Sequence, residues 1–223
     1  MKVPVLPLLS LCIMMGCHPT AGSYRKNGAG SLDKAAIAKD LRASSDQALI
    51  QAHATLVVRD GPTLRIAGET FTDEGDCDQG DCTRYRVDGV WHDRYVGIAV
   101  SHYEGGDYLL IDGRGNGHYY PIGSRPISSP SGRRFFTGHH DDVEWSPYQG
   151  ASVWEWEPIP RRLRIVDTDL AMFVSFAGWR GDSCVEFTGA RGFNVGLSPV
   201  RTYWLAEQQG DWRLFEGRPS TCI

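Results

Sequence analysis

Residues 108–136 read YLLIDGRGNGHYYPIGSRPISSPSGRRFF. Tyr108–Asp112 and His118–Ile122 are short runs rich in aromatic and β-branched residues. Between them lie Gly113, Gly115 and Gly117, so the pattern predicts two antiparallel strands and a glycine turn. The turn Ser129-Pro130-Ser131-Gly132 then reverses the chain into a third strand ending at Phe136. Gly113-x-Gly115-x-Gly117 leads into a strand and not a helix, which argues against a phosphate-cradling loop. Proline, glycine and serine here are accounted for by turns, so the stretch predicts architecture and offers no catalytic group.

The same unit recurs outward in both directions. Upstream, Thr55–Arg59 and Leu64–Phe71 flank the hairpin signal Asp60-Gly61-Pro62, and Thr83–Val90 and Tyr95–Tyr103 form a second pair. Downstream, Ala151–Glu157 sets Trp154 and Trp156 on one face, followed by Arg162–Val166, Ala171–Trp179, Val185–Phe187, Arg201–Ala206 and Trp212–Phe215. Turn signals return every ~8–12 residues, the spacing of all-β folds. Of 223 residues 41% are hydrophobic and 26 are glycine, enough for a buried core joined by many tight turns. An all-β domain is therefore expected over 54–223. Ahead of it, Leu32, Ala36, Ile37 and Leu41, then Ala48, Leu49 and Ala52, have helical spacing. They predict one or two short helices within 31–53.

A resemblance rests on residues 126–135. Pro126-x-x-Ser129-Pro130-x-Gly132-Arg133-Arg134-Phe135 resembles the blade motif of WD40-like and tricorn-like β-propellers, with Ser131 where that family usually has Asp. The Trp-bearing strand Ala151–Glu157 resembles the closing strand of such a blade. The resemblance implies an antiparallel meander of short blade-like sheets. Residues 54–216 would hold about four units of ~40–45 residues. The expected fold is a small or incomplete β-propeller, with a β-sandwich as the alternative.

The N-terminus carries a second resemblance. Lys2 precedes an apolar run, Val3–Met15, too short to span a bilayer, which takes ~20 apolar residues, but suited to a secretory leader. Met14-Met15-Gly16-Cys17 resembles the lipobox of bacterial lipoproteins, with Met14 where the pattern prefers Leu. It implies a signal peptide over 1–16 and lipid attachment at Cys17. Residues 17–30 resemble the flexible polar tether of such proteins. His18 follows the cysteine, and the absence of Asp there favours the outer membrane, facing the periplasm.

Cys12 lies in the leader and Cys17 at the anchor, which leaves Cys77, Cys82, Cys184 and Cys222. Four cysteines in an exported chain imply two disulfides. Cys77–Cys82 closes a small ring at low entropic cost, and Cys184–Cys222 then ties the last strands to the C-terminus.

Net charge is −4 and no basic stripe is present, which argues against nucleic acid. Two loops are candidate working surfaces. Residues 72–82 hold Asp73, Glu74, Asp76, Asp78 and Asp81. Asp76-x-Asp78-x-Gly80 has the spacing of a calcium loop, yet its twelfth position is Val87 and not Glu. Residues 138–150 hold His139, His140, Asp141 and Asp142, with Trp145 and Tyr148 as partner-facing aromatics. No metal-ligand motif and no nucleophile elbow are present, so neither a metal nor a cofactor is expected. The leading expectation is a non-enzymatic, lipid-anchored protein that binds another protein, as inhibitors and immunity proteins do, or an envelope component. An envelope glycan hydrolase using Glu155, Glu157 or the His139–Asp142 loop is one rival. A structural scaffold in envelope assembly is the other.

Overall fold

A computed structural model describes residues 46–115, 117–139, 149–166, 172–190 and 199–222. The chain divides into units 1–39 and 40–223, and every described residue belongs to the second. The leader, Cys17 and the tether lie outside the described residues.

That unit is all-β, made of four antiparallel sheets formed in sequence order. The first contains β1 (Val57–Asp60), β2 (Thr63–Ile66) and β3 (Glu69–Thr72). The second contains β4 (Glu74–Asp76), β5 (Asp81–Trp91), β6 (Tyr95–His102), β7 (Gly106–Asp112) and β8 (Tyr119–Pro121). The third contains β9 (Ile127–Ser128), β10 (Arg134–His139), β11 (Gly150–Glu155) and β12 (Arg161–Val166). The fourth contains β13 (Met172–Arg180), β14 (Cys184–Ala190), β15 (Arg201–Gln208) and β16 (Asp211–Glu216). Within each sheet every strand pairs with its neighbour in sequence, as expected of a meander built from local hairpins.

One expected strand is two. Leu64–Phe71 is broken at Ala67-Gly68, where φ is 49° and 90°. Two consecutive positive φ values make the tight turn that matches strand twist, so β2 folds back onto β3. Alanine is a poor marker of such a turn, which is why the run reads as continuous.

Both faces of the inner strands are buried, and their alternation assigns each face to a different neighbour. On β6, Val96, Ile98 and Val100 join Val57, Leu64 and Ile66 of the first sheet. From the same strand, Tyr95 and Ala99 turn the other way, towards Phe135, Trp154 and Trp156 of the third sheet. On β10, Phe135 faces the second sheet, while Phe136 packs with Phe187 and Tyr203 of the fourth. Four consecutive sheets are thus joined by three apolar clusters. Each fully buried large side chain in them contributes roughly 1.5–3 kcal/mol of transfer free energy. Among the described residues no apolar cluster joins the fourth sheet back to the first. The outer face of the fourth sheet is capped by the C-terminal tail, where Cys222 joins Cys184, Trp204 and Ala206.

A helix, α1 (46–52), packs on the first two sheets. Its contacts run through Leu49 and Ile50, while Ala48 and Ala52 are exposed, contrary to the face expected from spacing. Asp46 decides the orientation. It is 2% exposed, accepts from the Val87 amide at 3.1 Å and pairs with Arg59 at 3.2 Å. Residues i, i+3 and i+4 from that anchor share one helix face, and they are Asp46, Leu49 and Ile50.

Candidate binding surfaces

The 72–82 loop is built as a rigid acidic knob. Asp76 caps a 3-10 turn at Cys77–Gln79. Its Oδ1 accepts from the Asp78 amide at 3.0 Å, and its Oδ2 accepts from Gln79 Nε2 at 3.3 Å. Gly80 closes the turn in the left-handed region, at φ 81°. The calcium-like spacing of Asp76, Asp78 and Gly80 therefore serves a capped turn: the aspartate holds the first amide and the glycine supplies the positive φ. Cys77–Cys82 locks the loop. The Arg84 guanidinium donates to the carbonyls of Glu74, Gly75 (2.8 Å) and Thr83 (3.0 Å), stitching β4 to the start of β5. Gly75 is required by close approach, since a Cβ there would lie 1.9 Å from the Asp81 carbonyl oxygen.

The acids divide into two kinds. Asp73 turns inward, accepting from the Tyr85 amide at 2.8 Å and facing Arg59 at 3.6 Å. Burial, then the charges of Glu74 and Asp73, push the Tyr85 hydroxyl pKa up. Glu74, Asp76, Asp78 and Asp81 are exposed and make no ion pair among the described residues. Beside them Tyr103, 55% exposed, places its ring against Gly80, with Glu104 following in the β6–β7 turn. Tyr103 and Glu104 complete a surface that residues 72–82 alone do not reveal. The signal for them is indirect: once β5 pairs with β6, Thr83 lies opposite His102, and the adjoining turn must sit beside the loop.

Of the second candidate loop, His139 ends β10 opposite Gly150 and is half-buried. His140, Asp141, Asp142, Trp145 and Tyr148 lie outside the described residues. Both expected disulfides, Cys77–Cys82 and Cys184–Cys222, are formed. Glu155 and Glu157 do not share a strand face. Strand β11 ends at Glu155, which accepts from Arg161 at 2.8 Å, while Glu157 is exposed in the turn beyond. No group of three His, Cys, Asp or Glu side chains among the described residues is placed to hold a metal ion.

The Ser129–Arg134 turn binds sheet to sheet. Ser129 Oγ accepts from the Arg134 amide at 3.3 Å, and Ser131 Oγ accepts from the Arg133 amide at 3.2 Å. A carboxylate reaches this turn from Asp182, in the β13–β14 turn. Asp182 accepts from the Ser131 amide at 3.0 Å, and the hydrogen bond from the Ser131 side chain is the largest cause holding its carboxyl below the usual range. Arg134 donates to the Asp182 carbonyl and grips Glu207 of β15 through both guanidinium nitrogens, at 2.8 and 3.1 Å. A similar latch joins the second sheet to the third. Arg94 holds Asp112 bidentately at 2.9 and 2.6 Å and donates to the Pro158 carbonyl at 3.3 Å. Its hydrogen bonds outweigh burial and lower the Asp112 pKa. The neighbouring Tyr95 hydroxyl is pushed up to about 12, chiefly by burial.

A second surface was not anticipated from the sequence. Edge strands β12 and β16 face one another across an open groove of about 580 Å³, lined by Leu163, Arg164, Asp211, Trp212, Arg213 and Leu214. At Leu163 the β11–β12 register shifts by one residue, so Val153 faces Arg164 and Trp154 faces Arg162. That bulge brings Arg164 and Leu163 to the fourth-sheet side, while Arg162 stacks 5.6 Å over Trp154 on the opposite face. The groove continues to Arg134, whose guanidinium lies 5.1 Å over the Trp212 ring.

Comparisons of the chain with family models, with curated proteins and with solved structures find no match.

Proposed function

We propose that this chain is a lipid-anchored, periplasm-facing binding protein of the bacterial envelope, acting without catalysis on a cationic protein partner, as an inhibitor or immunity protein does. The observation that carries the reading is the knob. Four exposed carboxylates without ion pairs among the described residues stand on a backbone held by a disulfide, a capped turn and Arg84. Leaving like charges close together and unneutralised has a cost in the free protein, which a cationic partner removes. A fixed backbone spares the ordering entropy that a loose loop would lose on binding. Clustered charge also speeds association with an oppositely charged surface, and Tyr103 supplies an aromatic anchor of the kind that dominates interfaces. The lipobox residues Met14–Cys17 support the anchor, and the two disulfides suit an oxidising compartment. Within this reading the sheets form an open array of blade-like units, an incomplete propeller. Support comes from consecutive meanders stacked face to face, the second and third each buried on both sides by their sequence neighbours.

The test is affinity capture from envelope extracts with two baits, the full chain and its Glu74→Gln/Asp78→Asn/Asp81→Asn variant. The proposal expects a partner of high isoelectric point retained by the first and lost from the second. Retention of the same proteins by both would refute it.

A further inference from the structure

The two disulfides differ in how they meet solvent. Cys184 and Cys222 are 1% and 2% exposed, on the face that the C-terminal tail covers. Cys82 is 6% exposed, but its partner Cys77 is only half-buried, on the 3-10 turn at the tip of the knob. An incoming thiolate must reach the sulfur it attacks, so access selects the bond that exchanges. The surroundings differ in the same sense. Opening Cys184–Cys222 uncovers Trp204. Below Cys77–Cys82 the hairpin is held without the bridge. Glu74, Gly75 and Asp76 pair with Thr83, Cys82 and Asp81, and Arg84 donates to the Gly75 carbonyl. Breaking this bond frees residues 77–80 and leaves the base in place. At a sequence separation of 5, two thiols on a held base reclose at high effective concentration.

We infer that Cys77–Cys82 is a redox switch of the knob, opened when a thiol carried on a cationic molecule attacks Cys77 Sγ. A thiolate of a dithiol forms a bond to Cys77 Sγ. The bond between the cysteines breaks, and its electron pair leaves on Cys82 Sγ, which takes a proton from water. The dithiol's second thiolate then displaces Cys77 from the mixed disulfide. The cystine is reduced by two electrons, and the dithiol is oxidised to its own disulfide.

Charge sets the class of reductant. Glu74, Asp76, Asp78 and Asp81 lie in the same loop as Cys77, exposed and without an ion pair among the described residues. They repel an anionic thiol and draw in one that carries positive charge. The consequence rests on the reading of the knob as a binding surface. With the tip freed, the capping bond from the Asp78 amide to Asp76 no longer holds, and a cationic partner meets a loosened array of carboxylates.

The probes are cysteamine, which carries an ammonium beside its thiol, and 3-mercaptopropionate, which carries a carboxylate. Each is applied at low salt to the purified full chain with free thiols blocked first, and differential alkylation with mass spectrometry reads every cysteine. Each rate is divided by the same thiol's rate on hydroxyethyl disulfide, which removes intrinsic nucleophilicity. The expected result is reduction of Cys77–Cys82 with Cys184–Cys222 intact, roughly tenfold faster for cysteamine after that correction. The ratio should fall towards one in the Glu74→Gln/Asp78→Asn/Asp81→Asn variant. Hydrogen exchange of the reduced chain should rise at the Asp78 amide and stay unchanged along β6. Reduction of both bridges together, a ratio near one in the parent, an equal ratio in the variant, or an unchanged Asp78 amide would each overturn the proposal. No partner enters these measurements, so their failure is distinct from failure of the capture experiment.

Discussion

Removing the Cys184–Cys222 disulfide by the double substitution Cys184→Ala/Cys222→Ala should destabilise the domain far more than removing Cys77–Cys82. The two bridges close loops of very different size, with sequence separations of 38 and 5. In the chain-entropy account the longer closure contributes about 4 kcal/mol and the shorter about 2 kcal/mol. The longer bridge also holds the tail that covers Trp204, which is 3% exposed, and Arg218 stacks over that indole at 5.6 Å. Releasing Cys222 uncovers this face and adds to the loss. Equilibrium unfolding in urea, followed by tryptophan fluorescence, reads the difference. With a slope of about 2 kcal/mol per molar urea, the long-bridge variant should shift its midpoint by about 2 M and the short-bridge variant by about 1 M. The consequences for binding should run the other way. The short-bridge variant loosens the acidic knob and loses partner affinity, whereas the long-bridge variant binds normally below its transition. Equal midpoint shifts, or a long-bridge shift under about 0.5 M, would refute both the entropic reasoning and the tail's role as a cover.

Further perturbations give separate checks. Asp46→Ala leaves the Val87 amide and the Arg59 guanidinium short of a buried acceptor, and should cost about 3 kcal/mol in urea unfolding, in the range of broken buried pairs. Asp112 has a lowered folded-state pKa, so its contribution is present above the unfolded carboxylate value near ~4 and is lost as pH falls through the lower folded value. Asp112→Asn should therefore flatten the acid limb of the stability profile below about pH 5, measured as urea midpoint against pH. Cys17→Ser should move the protein from the membrane fraction to the soluble fraction of fractionated cells, and retention in the membrane would contradict lipid anchoring.

The hairpins were legible because their signals are local. Asp60-Gly61-Pro62 and the Gln209-Gly210 turn, where φ is 55° and 88°, announce themselves in sequence, and period-2 alternation marks the strands between. Ala67-Gly68 was hidden because alanine rarely takes positive φ. The pairing of the cysteines followed from loop size alone. Other features depend on which sheet packs against which, and no local pattern carries that. Asp182 supplies a carboxylate to a turn 51 residues earlier in the chain. Asp73 reads as one more loop acid but turns inward to Tyr85 and Arg59. Arg162–Val166 reads as a strand with Leu163 and Ile165 as its apolar positions. It becomes the wall of a groove only because a bulge at Leu163 redirects Arg164 and the edge of β16 lies opposite.

The central claim is that the acidic knob meets a protein in the envelope, and site-specific photo-crosslinking in intact cells tests it most directly. A benzophenone side chain replaces Asp78, exposed at the tip of the knob, and in a control strain it replaces Arg65, exposed on the first sheet. The account predicts a discrete covalent adduct from position 78, with a protein of high isoelectric point, and none from position 65. Adducts from position 65 alone, or no adduct from position 78 in cells that yield a captured partner, would contradict it.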